Sequence, residues 1–96
     1  MIRHVVIFQF DKEKANDAAI IEIKSELEAL TETIPELIKM EVGINSNPSE
    51  KQDLVLIADV KDLTDLDIYA KHPFHLAVAT KIKAIACQRT CVDYEI

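Results

Sequence analysis

One glycine and three prolines are all that this 96-residue chain contains of the strongest backbone punctuators, and tryptophan is absent. So few glycines and prolines exclude collagen-like and low-complexity classes. Gly43 alone cannot make a phosphate-cradling loop, because several glycines are needed for backbone amides to close on the anion. Cysteine occurs only twice. There is no C-x-x-C and no G-x-S-x-G, so thioredoxin-like, zinc-ribbon and serine-hydrolase chemistry lack their residues. No apolar run approaches the length of a membrane span. The opening MIRHVVIFQF is apolar but carries Arg3 and His4 inside the run, and it lacks a long apolar region with a small-residue cleavage site. It does not read as a signal peptide. Basic residues number 11 against 17 acidic, a net charge of −6, and they are scattered among the acids. A polyanion partner needs a clustered basic face. Neither nucleic acid nor an anionic membrane is therefore expected as a partner, and the protein is expected in the cytoplasm.

What is present describes an ordinary folded domain. Hydrophobic residues make up 49% and charged residues 29%, and the length suits a single domain over residues 1–96. A chain this short removes only about 60–65% of its unfolded surface from water, so added burial in an oligomer is expected.

Alternation places Ile2, His4, Val6, Phe8 and Phe10 on one face of a first strand, with Arg3, Val5, Ile7 and Gln9 on the other. Asn16 is a candidate N-cap. Beyond it Ile20, Ile23, Leu27, Leu30 and Ile34 form the stripe of an amphipathic helix that Pro35 ends. Ile38, Met40, Val42 and Ile44 alternate in a second strand, Asn45 to Ser49 is a turn, and Asp53 to Lys61 is a third strand. Thr64 and Asp67 have capping-box spacing and open a short helix that Pro73 interrupts. A longer helix follows from about Phe74 to Ala86, and Cys87 to Ile96 is a fourth strand. On that strand Cys87 and Cys91 stand about 13 Å apart, beyond disulfide reach. The order β-α-β-β-α-β is the ferredoxin-like α+β unit: a four-stranded antiparallel sheet with helices on one face. Val5, Ile7, Val55 and Ile57 put large apolar groups on the uncovered face as well. A bare apolar face marks an interface, so a homodimer through the open sheet face is expected.

The chemistry-bearing residues concentrate in Tyr69-Ala70-Lys71-His72-Pro73-Phe74-His75. His75 shares helical spacing with Val78, Ala79, Ile82 and Ala86, which turns it toward the sheet. His4 lies on the helix-covered face of the first strand, and Tyr69 precedes His72 by three residues. The three histidines and the tyrosine are thus expected to border one cavity between sheet and helices. Imidazole moves protons near neutral pH and a phenol donates to a developing oxyanion, a pair suited to enolisation, aldol-type ring closure or recognition of a phenolic ligand. No metal or other cofactor is expected: His72 and His75 straddle a proline, and no carboxylate is seen to face inward with them. No cysteine shows a histidine base.

On these residues the chain resembles the stress-responsive dimeric α/β-barrel family, Dabb. The resemblance covers nearly the whole chain. It rests on Ile2-Arg3-His4-Val5-Val6, Ile34-Pro35-Glu36-Leu37 with Val42-Gly43, the Tyr69-x-x-His72-Pro73-x-His75 element, and Val92-Asp93-Tyr94-Glu95. It implies a ferredoxin-like unit paired into a dimeric α+β barrel. Most members have no assigned reaction, some plant members are stress-associated oligomers, and others are polyketide cyclases. In the cyclases the second motif histidine is the base and the motif tyrosine assists. By resemblance those catalytic roles fall to His75 and Tyr69, with His4 and His72 as ligand-binding residues at the pocket wall. The sequence departs from the cyclases in lacking tryptophan and in carrying Leu76-Ala77-Val78-Ala79 after the motif. Two readings follow. One is a small dimeric protein of unassigned activity with a small-molecule site between sheet and helices. The other is an acid–base enzyme using His75 and Tyr69, cyclase-like or, by fold analogy, resembling a cofactor-free oxygenase.

Overall fold

Residues 1–96 are described by a computed structural model. Strand β1 spans Ile2–Phe10, helix α1 Asp17–Ala29, β2 Leu37–Ile44, β3 Leu54–Val60, α2 Leu63–Lys71, α3 Pro73–Ile85 and β4 Ala86–Glu95. The strands form one antiparallel sheet in the order β2-β3-β1-β4. No helix is long and apolar enough to cross a membrane.

Asn16 caps α1 as its sequence position suggests, its side chain accepting from the Ala19 amide at 2.8 Å. The expected helix through Ile34 is shorter than its apolar stripe: the α-helix stops at Ala29 and a 3-10 turn, Leu30–Glu32, completes it. Tightening the last turn satisfies carbonyls that have no helical partner while keeping Leu30 and Ile34 buried. The second strand also departs from simple alternation. A register shift between Leu37 and Lys39 turns Leu37, Met40 and Val42 into the core, so Ile38 is left exposed. A bulge places two residues opposite one and so inverts the phase before it. The cap of α2 is Asp62 rather than Thr64: its carboxylate accepts from the Asp65 amide at 2.9 Å. A carboxylate there also complements the helix dipole.

The core lies between the sheet and the helices. Val6, Phe8 and Phe10 of β1 and Leu54, Leu56, Ala58 and Val60 of β3 meet Ile23, Leu27, Tyr69, Val78 and Ile82 of the helices. Lys81 of α3 bridges to Glu22 and Glu26 of α1, closing the helical layer on the solvent side. The opposite sheet face carries no helix. There β1 pairs Val5 with Ile57 of β3 and Val92 of β4, and Ile7 with Val55, while Arg3 pairs with Asp59. Val92 and Tyr94 are 57% and 43% exposed.

Candidate functional site

The peptide bend at Pro73 builds the site. A residue before proline is held out of the helical region, and His72 has ψ of 135°. It therefore ends α2 and begins α3 with Pro73 in the first turn, where a missing amide costs nothing. The His72 ring accepts from the Phe74 amide at 3.1 Å and caps α3. Three turns of α3 then run over the sheet with Val78 and Ile82 buried, and His75 points inward from the first of them.

A cavity of about 540 Å³ opens between β1, α2 and α3, within the range of ordinary ligand sites. His4, Tyr69 and His75 line it, among apolar groups such as Val6, Phe8 and Leu66. The Tyr69 ring lies 4.5 Å from His75 and 6.3 Å from His4. His72 is not among the lining residues. It is a helix cap, and the structure does not bring it to the three others.

Electrostatics differ from one member of this group to the next. The phenol of Tyr69 is 1% exposed and finds no hydrogen-bond partner in the protein. Burial pushes its pKa well above the usual phenol value, so it stays a protonated donor. The His75 Nδ1 lies 2.8 Å from the Ala70 carbonyl, which accepts its proton and leaves Nε2 as the basic nitrogen. Burial lowers the His75 pKa below its ordinary value; the Ala70 bond opposes this, and the charges of Lys83 and Arg89, with that of His4 when it is protonated, reinforce it. The neutral base is thus the resting form near pH 7.

This depression carries a stability consequence. Protons bind the unfolded imidazole near pH 6.5 but the folded one only at lower pH. Below about 6.5 the unfolded state therefore holds more protons, and stability falls as pH drops toward the folded pKa. The contribution is fully present above the window. We expect urea unfolding midpoints to decline between pH 7.5 and pH 5, and His75→Asn, which retains a donor for Ala70, to lose part of that decline.

Three neighbours of this group were hidden from sequence reasoning. Asp93 stands directly opposite His4 in the β1–β4 ladder, and its Oδ1 is 2.5 Å from His4 Nδ1. It is an exposed carboxylate on the histidine's side of the sheet that the sequence did not reveal. Cys91, one pleat along on the same face, brings Sγ within 3.5 Å of the same nitrogen. Burial and the Asp93 charge push its thiol pKa up, so it is not primed as a nucleophile. Arg89, opposite Phe8, joins Lys83 in lining the cavity. The signal was the register of β4 on β1: once Val6 pairs with Cys91, the pleat puts Arg89, Cys91 and Asp93 on the histidine's face.

The same fold recurs among known proteins. The chain superposes with a TM-score of 0.91 on a dimeric protein of unknown function and ferredoxin-like fold from Bacteroides fragilis, at 32% identity over 99% of this chain and 95% of that one. A dimeric ferredoxin-like protein of unknown function from Thermobifida fusca gives 0.88 at 23% identity, covering 99% and 90%. The hydroxynitrile lyase of Passiflora edulis gives 0.85 at 16%, covering 99% and 92%. These last two likenesses speak for the fold alone. Among curated proteins no sequence match is found. The model of the stress responsive A/B barrel domain, Dabb, matches residues 2–96, and the chain belongs to that family.

Proposed function

We propose that this protein is a cytoplasmic homodimer formed through the open sheet faces, and that each 96-residue domain holds a small-molecule site between sheet and helices. In that site His75 serves as proton acceptor and Tyr69 as hydrogen-bond donor, with His4 at the wall. The dimer reading draws support from the dimeric relatives in Bacteroides and Thermobifida and from the uncovered apolar face. Two free cysteines on an exposed strand suit a reducing compartment.

One observation carries the site: a phenol buried without a partner at the cavity wall, beside a neutral imidazole. Burying a hydroxyl without a hydrogen bond costs roughly 1–3 kcal/mol, a cost that a ligand oxygen would offset. The chemistry fits proton abstraction next to a carbonyl. His75 Nε2 takes the proton, the enolate oxygen accepts from Tyr69, and Arg89 and Lys83 favour the negative charge. That the fold hosts a lyase in Passiflora is analogy only.

The competing reading is a non-catalytic dimer whose histidines merely fix the helix junction. It has support in the His72 cap and the His75–Ala70 bond. Tyr69→Phe separates the two. Removing an unpartnered buried hydroxyl should leave stability unchanged or raised by about 1 kcal/mol. Binding of phenols and enolisable ketones, followed by ligand-observed NMR, should weaken roughly tenfold, the equivalent of one hydrogen bond. Unchanged binding, or none in either protein, favours the junction-only reading.

A further inference from the structure

The cross-strand cluster of His4, Cys91 and Asp93 has the donor set of a metal site. We propose that it binds a borderline-soft divalent cation, zinc foremost, through His4 Nδ1, Cys91 Sγ and an Asp93 carboxylate oxygen. This inference shares only His4 with the function proposed above; His75 and Tyr69 are not among the ligands.

Donor spacing is the main argument. Around a tetrahedral zinc with bonds of about 2.0–2.3 Å, nitrogen and sulfur donors stand about 3.6 Å apart, sulfur and oxygen about 3.5 Å, and nitrogen and oxygen about 3.3 Å. Here Sγ is 3.5 Å from His4 Nδ1 and 3.7 Å from Asp93 Oδ1. Both edges already fit. The third, 2.5 Å between Nδ1 and Oδ1, is a short hydrogen bond. A small rotation of the aspartate, lengthening that edge by about 0.8 Å, would admit the ion. All three donor atoms lie within 4.8 Å of one another.

The backbone holds them there. His4 and Asp93 are a direct ladder pair, and Cys91 sits opposite Val6 on the same face, so no loop has to order for the ligands to meet. Cys91 and Asp93 are exposed, which provides an entry path. Cys87 is not part of the set, its thiol being directed to the Gln9 carbonyl. Thiolate, imidazole and carboxylate together select zinc over calcium or magnesium, which prefer all-oxygen sites. On binding, the Nδ1 proton moves to Nε2 and the thiol proton leaves to solvent. Three protein ligands leave a fourth position for water or a ligand atom, the pattern of a reactive rather than a purely structural zinc site.

Cobalt(II) titration of the full-length protein tests this. The expected result is one cobalt per chain, with intense visible bands of tetrahedral geometry and a near-ultraviolet thiolate-to-cobalt band, all reversed by zinc. Cys91→Ser should abolish the thiolate band and Cys87→Ser should leave it. Asp93→Ala should weaken cobalt binding at least tenfold, with circular dichroism confirming that each variant is folded. No tetrahedral spectrum in the wild type overturns the proposal. So does a thiolate band that survives in Cys91→Ser or disappears in Cys87→Ser. His75→Ala should bind cobalt as the wild type does, so failure of the proposed ligand site and failure of the metal site give different results.

Discussion

Ile57→Asp is expected to convert the dimer into a monomer that is still folded. Ile57 sits at the centre of the uncovered sheet face, laddered to Val5, which in turn pairs with Val92 of the edge strand. Val55 and Ile7 extend the patch along the sheet, and no helix of the chain lies over it. In a twofold dimer the same patch meets its own copy, so one substitution places two carboxylates in the interface. Taking a charge out of water without a partner costs several kcal/mol per ion, so the dimer dissociation constant should rise at least about 100-fold. Within one chain the side chain is only partly buried, and the aspartate can stay in water once the partner leaves. Sedimentation equilibrium across a range of concentrations gives the answer. Ile21→Asp, on the 59%-exposed outer side of α1, is the control and should remain dimeric. A dimer that survives Ile57→Asp with undiminished affinity would place the interface elsewhere.

That patch was legible because period-two alternation assigns both faces of a strand at once, and Val5, Ile7, Val55 and Ile57 left no polar face to turn outward. The element order was legible for the same reason, and the capping oxygen of Asn16 fixed one helix start in advance. At Ile38 and at the start of α2 the local pattern misleads for one reason: tertiary packing overrides it there. The bulge at Ile38 answers to the pairing of β2 with β3, and Asp62 captured the α2 start because its carboxylate reached the Asp65 amide first.

The candidate site divides in the same way. Tyr69 and His75 were found because both lie within one helix-bend-helix segment, where spacing of three and four residues determines which groups converge. His72 failed to join them because the bend that separates the helices recruits its ring as a cap. Asp93 and Cys91 were out of reach, being 89 and 87 residues from His4 in sequence. Only the register of β4 on β1 brings them together, and a slip of one residue would send both to the opposite face. Residues contributed within one supersecondary unit are readable from spacing. Residues contributed across a ladder need the pairing.

Arg3→Ala is expected to cost stability at pH 7 by an amount that shrinks in mild acid. Arg3 Nε and Nη2 donate to the two carboxylate oxygens of Asp59 at 2.9 and 3.0 Å, a bidentate pair across β1 and β3. Asp59 is the one charged residue among those buried, at 3% exposure. The guanidinium holds its carboxyl below the usual range, against the opposing effect of burial. In the wild type this contribution is present above the unfolded pKa of about 3.9 and is lost as pH falls through the lower folded value. Without Arg3, burial is opposed only by the charge of Lys39, and the folded pKa is expected to rise above the unfolded one. Asp59 then favours the fold only when protonated, and that contribution disappears as pH rises. At pH 7 the unpaired carboxylate, opened to water on the uncovered face by the loss of the Arg3 side chain, should cost about 1–2 kcal/mol, and the deficit should shrink between pH 6 and pH 4, where the wild type has its full contribution. Chemical denaturation at several pH values follows both slopes. The paired change Arg3→Met with Asp59→Leu removes both charges and should recover most of the loss at pH 7, since apolar groups of similar volume replace such pairs at little cost. A deficit in Arg3→Ala that is flat with pH would mean that the lost alkyl packing of Arg3, and not the stranded Asp59 charge, accounts for the effect.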